Sequence, residues 1–175
     1  MDKKDFIIIG LLIIIVVMLA YGVISSQKST EPVTLELSEC SMTVPAGSHY
    51  HEIQGNAEVY LHENDSIPFI SISNSSQTIT AEEFDSTYNE LKNDKNSRQE
   101  ILELSNSDPN GTFQCLDVNV GDFNGEPEIS MVTQLTNTTH KQLMHMIKHN
   151  NKTYFVMESM DNDLGKQSYN TIKLK

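Results

Sequence analysis

The 175-residue chain carries 24 acidic against 12 basic residues, a net charge of −12, and its only arginine is Arg98. That balance speaks against nucleic acid as a partner, because phosphate binding needs clustered lysine and arginine, and it repels anionic headgroups. Hydrophobic residues make up 38% of the chain and are concentrated at its start, so the rest must fold around a lean core.

Residues 1–5 read as a short tail whose Asp2, Lys3, Lys4 and Asp5 cancel in charge. Residues 6–24 carry no charge, and 19 residues of helix at 1.5 Å each span the roughly 30 Å hydrocarbon core. The expectation is therefore a transmembrane anchor. Lys3 and Lys4 before it favour a cytoplasmic N-terminus, which makes the expected protein single-pass, in the cell membrane, with its C-terminal domain outside the cytoplasm. The competing reading is a cleaved signal peptide with Ala20-Tyr-Gly22 as its processing site. The apolar run exceeds the usual 7 to 15 residues of such a segment, which favours retention.

Residues 25–32 form a polar stalk without hydrophobic period. Residues 33–175 are one domain's worth of chain. Val33, Leu35 and Leu37, then Cys40, Met42 and Val44, alternate with polar residues at the period of a half-buried strand. Residues 57–63 and 67–73 follow as a β pair around Asn64-Asp-Ser66.

Thr80-Ala-Glu-Glu83 is a capping box, with Ile79 and Phe84 placed as a hydrophobic staple. Phe84, Tyr88 and Leu91 recur at i, i+4 and i+7, so a helix runs from there to about Asn93 and lays one stripe on a sheet. Strands are expected at 101–105, 112–120, 128–136, 140–149 and 153–160, punctuated by Asp108-Pro-Asn-Gly111, Phe123-Asn-Gly125, Asn137-Thr-Thr139 and Asn150-Asn151. Residues 161–175 close the domain with a short helix.

The fold class is thus α+β: an N-terminal transmembrane helix, then an antiparallel sheet of about six to eight strands packed by one main helix and a short C-terminal one. This order of elements, with the helix start Thr80-Ala-Glu-Glu-Phe84, resembles the PsbP-like fold over nearly the whole domain. The resemblance implies an α-β-α sandwich and a binding or accessory role more than catalysis. It carries over no functional residue.

Cys40 and Cys115 would both lie in the exported part, where a bridge closing a loop of about 75 residues adds something near 4 kcal/mol; two separate buried thiols are the alternative. Asn-x-Ser/Thr sequons at Asn64, Asn74, Asn110, Asn137 and Asn151 are candidate glycosylation sites. His49-Tyr-His51 can set two imidazoles on one metal, with His62 or Glu52 as the nearest third ligand. Met144-His-Met146 suits Cu(I) by ligand type, but on a strand the thioethers and the imidazole face opposite ways. The methionines then fill core, and His145 is an exposed or satisfied side chain. Asn106-Ser-Asp-Pro-Asn-Gly111, with Asp117, partly matches a calcium loop and reads better as a turn. Asp161-Asn-Asp163 reads as a helix N-cap.

Neither a nucleophile elbow nor a phosphate loop is present, and no cofactor is implied. The expected function is a non-enzymatic, membrane-anchored binding or accessory domain for an unknown protein or small ligand. The alternatives are a zinc or copper module using His49 and His51, and an exported hydrolase.

Overall fold

The computed structural model describes residues 28–29, 31–54, 57–62, 68–74, 79–106 and 113–175, with backbone alone for 28–29, 48–54, 57–62 and 104–105. In chain order these form β1 (Lys28–Ser29), β2 (Val33–Glu36), β3 (Cys40–Val44), β4 (Gly47–Gln54), β5 (Ala57–His62), β6 (Pro68–Asn74), α1 (Ala81–Asn93), α2 (Lys95–Ser105), β7 (Phe113–Phe123), β8 (Glu126–Leu135), β9 (Lys141–His149), β10 (Lys152–Ser159), α3 (Asp163–Tyr169) and β11 (Lys173–Leu174).

An eight-stranded sheet runs in the order β1-β4-β5-β6-β10-β9-β8-β7, and a three-stranded sheet in the order β11-β3-β2. Every pairing is antiparallel. β7 to β10 form the expected meander. Its tight turns are made by Asn124 and Gly125 and by Asn150 and Asn151, all at positive φ, which asparagine and glycine tolerate best.

The meander's two faces bury different layers. On one, Phe84 and Leu91 of α1 pack with Cys115, Val118, Ile129 and Met146, flanked by Ile79, Tyr88, Ile101 and Leu102. On the other, Ile70, Ile72, Phe123, Ile147 and Val156 meet Met42 and Val44 of the small sheet, with Tyr169 and Ile172 from the C-terminal segment. Full burial of a side chain such as Phe84 or Leu91 contributes about 1.5–3 kcal/mol.

α1 starts as its sequence dictates. Thr80 Oγ1 accepts from the Glu83 amide at 3.2 Å, and Glu83 Oε2 accepts from the Thr80 amide at 2.9 Å. The Thr80 amide first, and then the Thr80 hydroxyl donating to the same Oε2 at 2.9 Å, hold the Glu83 carboxyl below its ordinary range. Lys148 Nζ reaches both Asp85 oxygens, at 2.5 and 2.6 Å, tying α1 to β9.

Several expectations are corrected. No helix among the described residues is long and apolar enough to cross a membrane, and residues 6–24 lie outside them. The transmembrane element of the expected fold class, and the single-pass membrane localisation drawn from it, are withdrawn on that finding. Within the expected stalk, Lys28 and Ser29 pair with Ser48 and Gly47.

The strand expected at 101–105 is the end of α2. Asp94 Oδ1 accepts from the Asn96 amide at 2.8 Å, and Arg98 Nε donates to the Leu91 carbonyl at 3.0 Å. Those bonds launch a second helix from the end of the first, and the good helix formers Arg, Gln, Glu and Leu sustain it. Cys40 and Cys115 are separate buried thiols, not a disulfide. They belong to different core layers on opposite sides of the large sheet.

Candidate functional site

Strand alternation puts charge into the layer beneath α3. In the register His145 of β9 stands opposite Ser130 of β8 and Val156 of β10, Glu128 opposite Ile147, and Glu158 opposite Leu143. His145 is therefore diagonal to both glutamates, one toward each end of its strand, within cross-strand reach. Its Nδ1 bonds Glu128 Oε1, and its Nε2 lies 3.6 Å from Glu158 Oε1. The second contact is an ion pair and too long for a hydrogen bond.

Tyr169, at the end of α3, donates its hydroxyl to the same Glu128 Oε1 at 2.8 Å. Its ring stacks on the imidazole with centroids 3.9 Å apart. His145 and Glu158 are only 4% and 5% exposed, so the cluster sits in a low dielectric where pairing decides ionisation. Burial alone would push the imidazole toward neutrality, but the Glu128 and Glu158 carboxylates outweigh it and hold His145 above its ordinary range. Burial raises the Glu128 carboxyl, and the bonds from His145 and Tyr169 more than reverse that, leaving it lowered. Burial, followed by the neighbouring Glu128 and Glu158, drives the Tyr169 phenol far above its usual range, which keeps it a neutral donor.

Beside this cluster lies a surface cleft of about 630 Å³, within the range of small-ligand sites. Residues 170–174 form one wall, and Thr43, Phe123, Asn124, Glu126 and His149 complete it. Glu126 and His149 repeat the carboxylate–imidazole theme at its rim. His149 Nδ1 is 2.9 Å from Glu126 Oε1, and Asn150 Nδ2 is 2.8 Å from His149 Nε2. The asparagine amide donates to Nε2, which assigns the proton on Nδ1 to the bond with Glu126. Phe123 belongs to both places, since it lines the cleft and touches the Tyr169 ring at 4.9 Å.

The wall is tied down from below. Thr171 Oγ1 bonds the Ser168 carbonyl at 2.7 Å, and the Thr43 amide donates to it at 2.8 Å. The cluster's two carboxylates face opposite nitrogens of one ring and do not converge on a common ion. Among the described residues no three histidine, cysteine or acidic side chains gather so as to hold a metal.

The expected metal candidates share one hairpin, and the other expected site residues lie apart from it. His49 and His51 lie on β4 and His62 on β5, where the register sets His49 opposite His62 and His51 opposite Tyr60; their side chains lie outside the described ones. Met146 enters the layer under the helices while His145 enters the layer under α3, the opposed placement that alternation requires. Asn162 caps α3 by accepting from the Leu164 amide at 3.0 Å, and Asp161 pairs with His140. Residues 107–112 of the calcium-like loop lie outside the described ones, and Asp117 is occupied by the Val118 amide and Asn119.

Of the sequons, Asn64 and Asn110 lie outside the described residues and Asn74 ends β6. Asn137 and Asn151 are exposed turn residues at φ near 63°, a backbone role that explains asparagine without a glycan. Sequence reasoning missed Glu128, Glu158 and Tyr169. The signal was there in part: Glu158 follows Tyr154 and Val156 on the apolar face of β10, whereas Glu128 shares its face of β8 with Glu126, Ser130 and Gln134 and reads as outward.

No family model matches the chain, and no curated protein matches it.

Proposed function

We propose that the chain is a non-enzymatic binding domain whose seat is the cleft walled by residues 170–174, and that its ligand is a small molecule with an apolar body and a hydrogen-bonding edge. The observation that carries this reading is the lining: the partly buried Leu174 offers apolar surface over a floor of buried Phe123 and Ile172, while Thr43, Asn124, Asn170 and the Glu126–His149 pair offer polar contacts. Such mixed lining around a few placed polar groups is what small-ligand sites share. A binding role is also what the PsbP-like resemblance implies.

The test is a nitrogen–proton correlation spectrum of the chain titrated with a library of aromatic amides and alcohols. Saturable shifts at Gly125 and at Ile172 to Leu174 are expected, weakened about tenfold, or ~1.4 kcal/mol, in Phe123→Leu. Shifts confined to other surfaces, or none across the library, would remove the reading.

A second reading has one observation behind it: in the β4–β5 register His49 stands opposite His62, with His51 two residues along. A zinc or copper site on that hairpin predicts stoichiometric metal in a titration of the chain, lost in His49→Ala. The absence of any stoichiometric uptake would dismiss it.

A further inference from the structure

Residues 170–174, the cleft wall, leave the end of α3 directly, and α3 rests on the strands that carry the buried cluster. A Cβ placed on Gly165 would come within 2.3 Å of the Phe69 carbonyl oxygen and 3.0 Å of Glu158 Cβ. The helix therefore lies on β6 and β10 with no space between, directly over Glu158. At its other end Tyr169 is held by Glu128 and by the stack on His145.

The groups that face the imidazole are Glu128 from β8, Glu158 from β10 and Tyr169 from α3. Its register partners Ser130 and Val156 are uncharged, and the charged residues of α3, Asp163 and Lys166, are exposed. Among the described residues neither Glu128 nor Glu158 pairs with a lysine or arginine. A protonated His145 is then the single cation between the buried Glu158 and the partly buried Glu128 among the described residues. Two polar atoms at this point, His145 Nε2 and Glu158 Oε2, are buried without a hydrogen-bond partner.

We propose that the Glu128–His145–Glu158 clamp is a proton-operated latch on the cleft: a protonated imidazole holds α3 and the wall 170–174 in place, and loss of its proton releases them. The functional meaning rests on the cleft being the ligand seat, whereas the latch itself is a property of the unliganded chain. When the Nε2 proton leaves to solvent, Nδ1–H still donates to Glu128, but Nε2 now turns a lone pair toward Glu158. A buried carboxylate left without cation or donor is strongly disfavoured. It must reach water or take up a proton. The element lying over it is α3, so access to water means lifting the helix, and with it the wall.

The experiment is amide hydrogen exchange on the full chain without ligand, from about pH 6 to about pH 9, a range spanning histidine titration, with rates corrected for intrinsic exchange. The reporters are the Thr171 and Ile172 amides, bonded to the Ser168 and Tyr169 carbonyls at 3.0 and 3.1 Å, and the control is the Phe84 amide, bonded to Thr80 at 3.0 Å. Reporter protection is expected to fall at least about tenfold as His145 loses its proton, a local opening that leaves the control unchanged. In Glu158→Gln the amide can donate to a neutral Nε2, so the step disappears. Constant protection through the His145 titration, or the same step in Glu158→Gln, overturns the latch. If that variant does not fold, the wild-type rates alone decide. Because the assay contains no ligand, its failure leaves the cleft reading standing. A pH step without any fragment binding at the cleft removes that reading and keeps the latch.

Discussion

Tyr169 meets three partners at once, Glu128 through its hydroxyl, His145 through its ring face and Phe123 in a tilted contact. Tyr169→Phe keeps the ring contacts and deletes one bond to the partly buried Glu128 carboxylate, which costs about 1.5–3 kcal/mol. Urea unfolding should show that loss, together with an acid limb moved to higher pH, since Glu128 loses one of the donors that lower its carboxyl. The cysteines make a separate prediction at this scale. Both are buried thiols, and burial pushes the Cys115 thiol up, so a thiol reagent should label neither quickly in the native chain and both after unfolding. A melting temperature lowered by reductant would instead reveal a bridge. His145 was only half legible in the sequence. Alternation separates it correctly from Met144 and Met146, but nothing local shows that its partners are Glu128, Glu158 and Tyr169, which arrive from three other elements.

α1 is the element most legible in advance, because its start signal is local: the capping box and the staple lie within six consecutive residues, 79–84. Thr80→Ala should cost about 1 kcal/mol in thermal or urea unfolding, and a Thr80→Ser variant should recover most of it. α2 was misread because Ile101-Leu-Glu-Leu104 alone fits a strand, and what decides it lies upstream, in Asp94 accepting from the Asn96 amide and in Ser97 and Arg98 bonding to Glu90 and Leu91 of α1. β4 went unnoticed for a different reason: Gly-Ser-His-Tyr-His-Glu-Ile-Gln is too polar on both faces to show a period, and its strand state comes from pairing with β5. The seat of α3 was equally hidden, since Gly165 reads as a helix weakness until the Phe69 carbonyl is found against it. Gly165→Ala should therefore destabilise by about 1–3 kcal/mol through overpacking, although alanine is the better helix former. Equal or greater stability in that variant would mean that α3 does not lie tight on β6.

Across the whole molecule the order of the meander and the placing of α1 on its face follow from alternation and turn chemistry, which act locally. The second layer does not, because β11 pairs with β3 across most of the chain and no short window contains both. No described helix is long and apolar enough to cross a membrane, and the apolar run 6–24 lies outside the described residues. Two linked titrations set the pH dependence. His145 is raised above its ordinary 6.5, so its contribution is complete below 6.5 and is lost as pH rises through the folded value. Glu128 is lowered from 4.5, so its contribution is complete above 4.5 and is lost as pH falls through the folded value. The clamp should stabilise the fold most between those limits, and His145→Gln should flatten the alkaline limb selectively in urea unfolding at several pH values.

The measurement that bears most directly on the central claim, a charged imidazole clamped between the buried Glu158 and the partly buried Glu128 beside the cleft, is the nitrogen NMR titration of the His145 ring. The account predicts both ring nitrogens protonated at pH 6.5, with Nδ1 and Nε2 moving together only at higher pH and a midpoint lowered by Glu158→Gln. A neutral ring at pH 6.5, or a midpoint indifferent to Glu158, would contradict it.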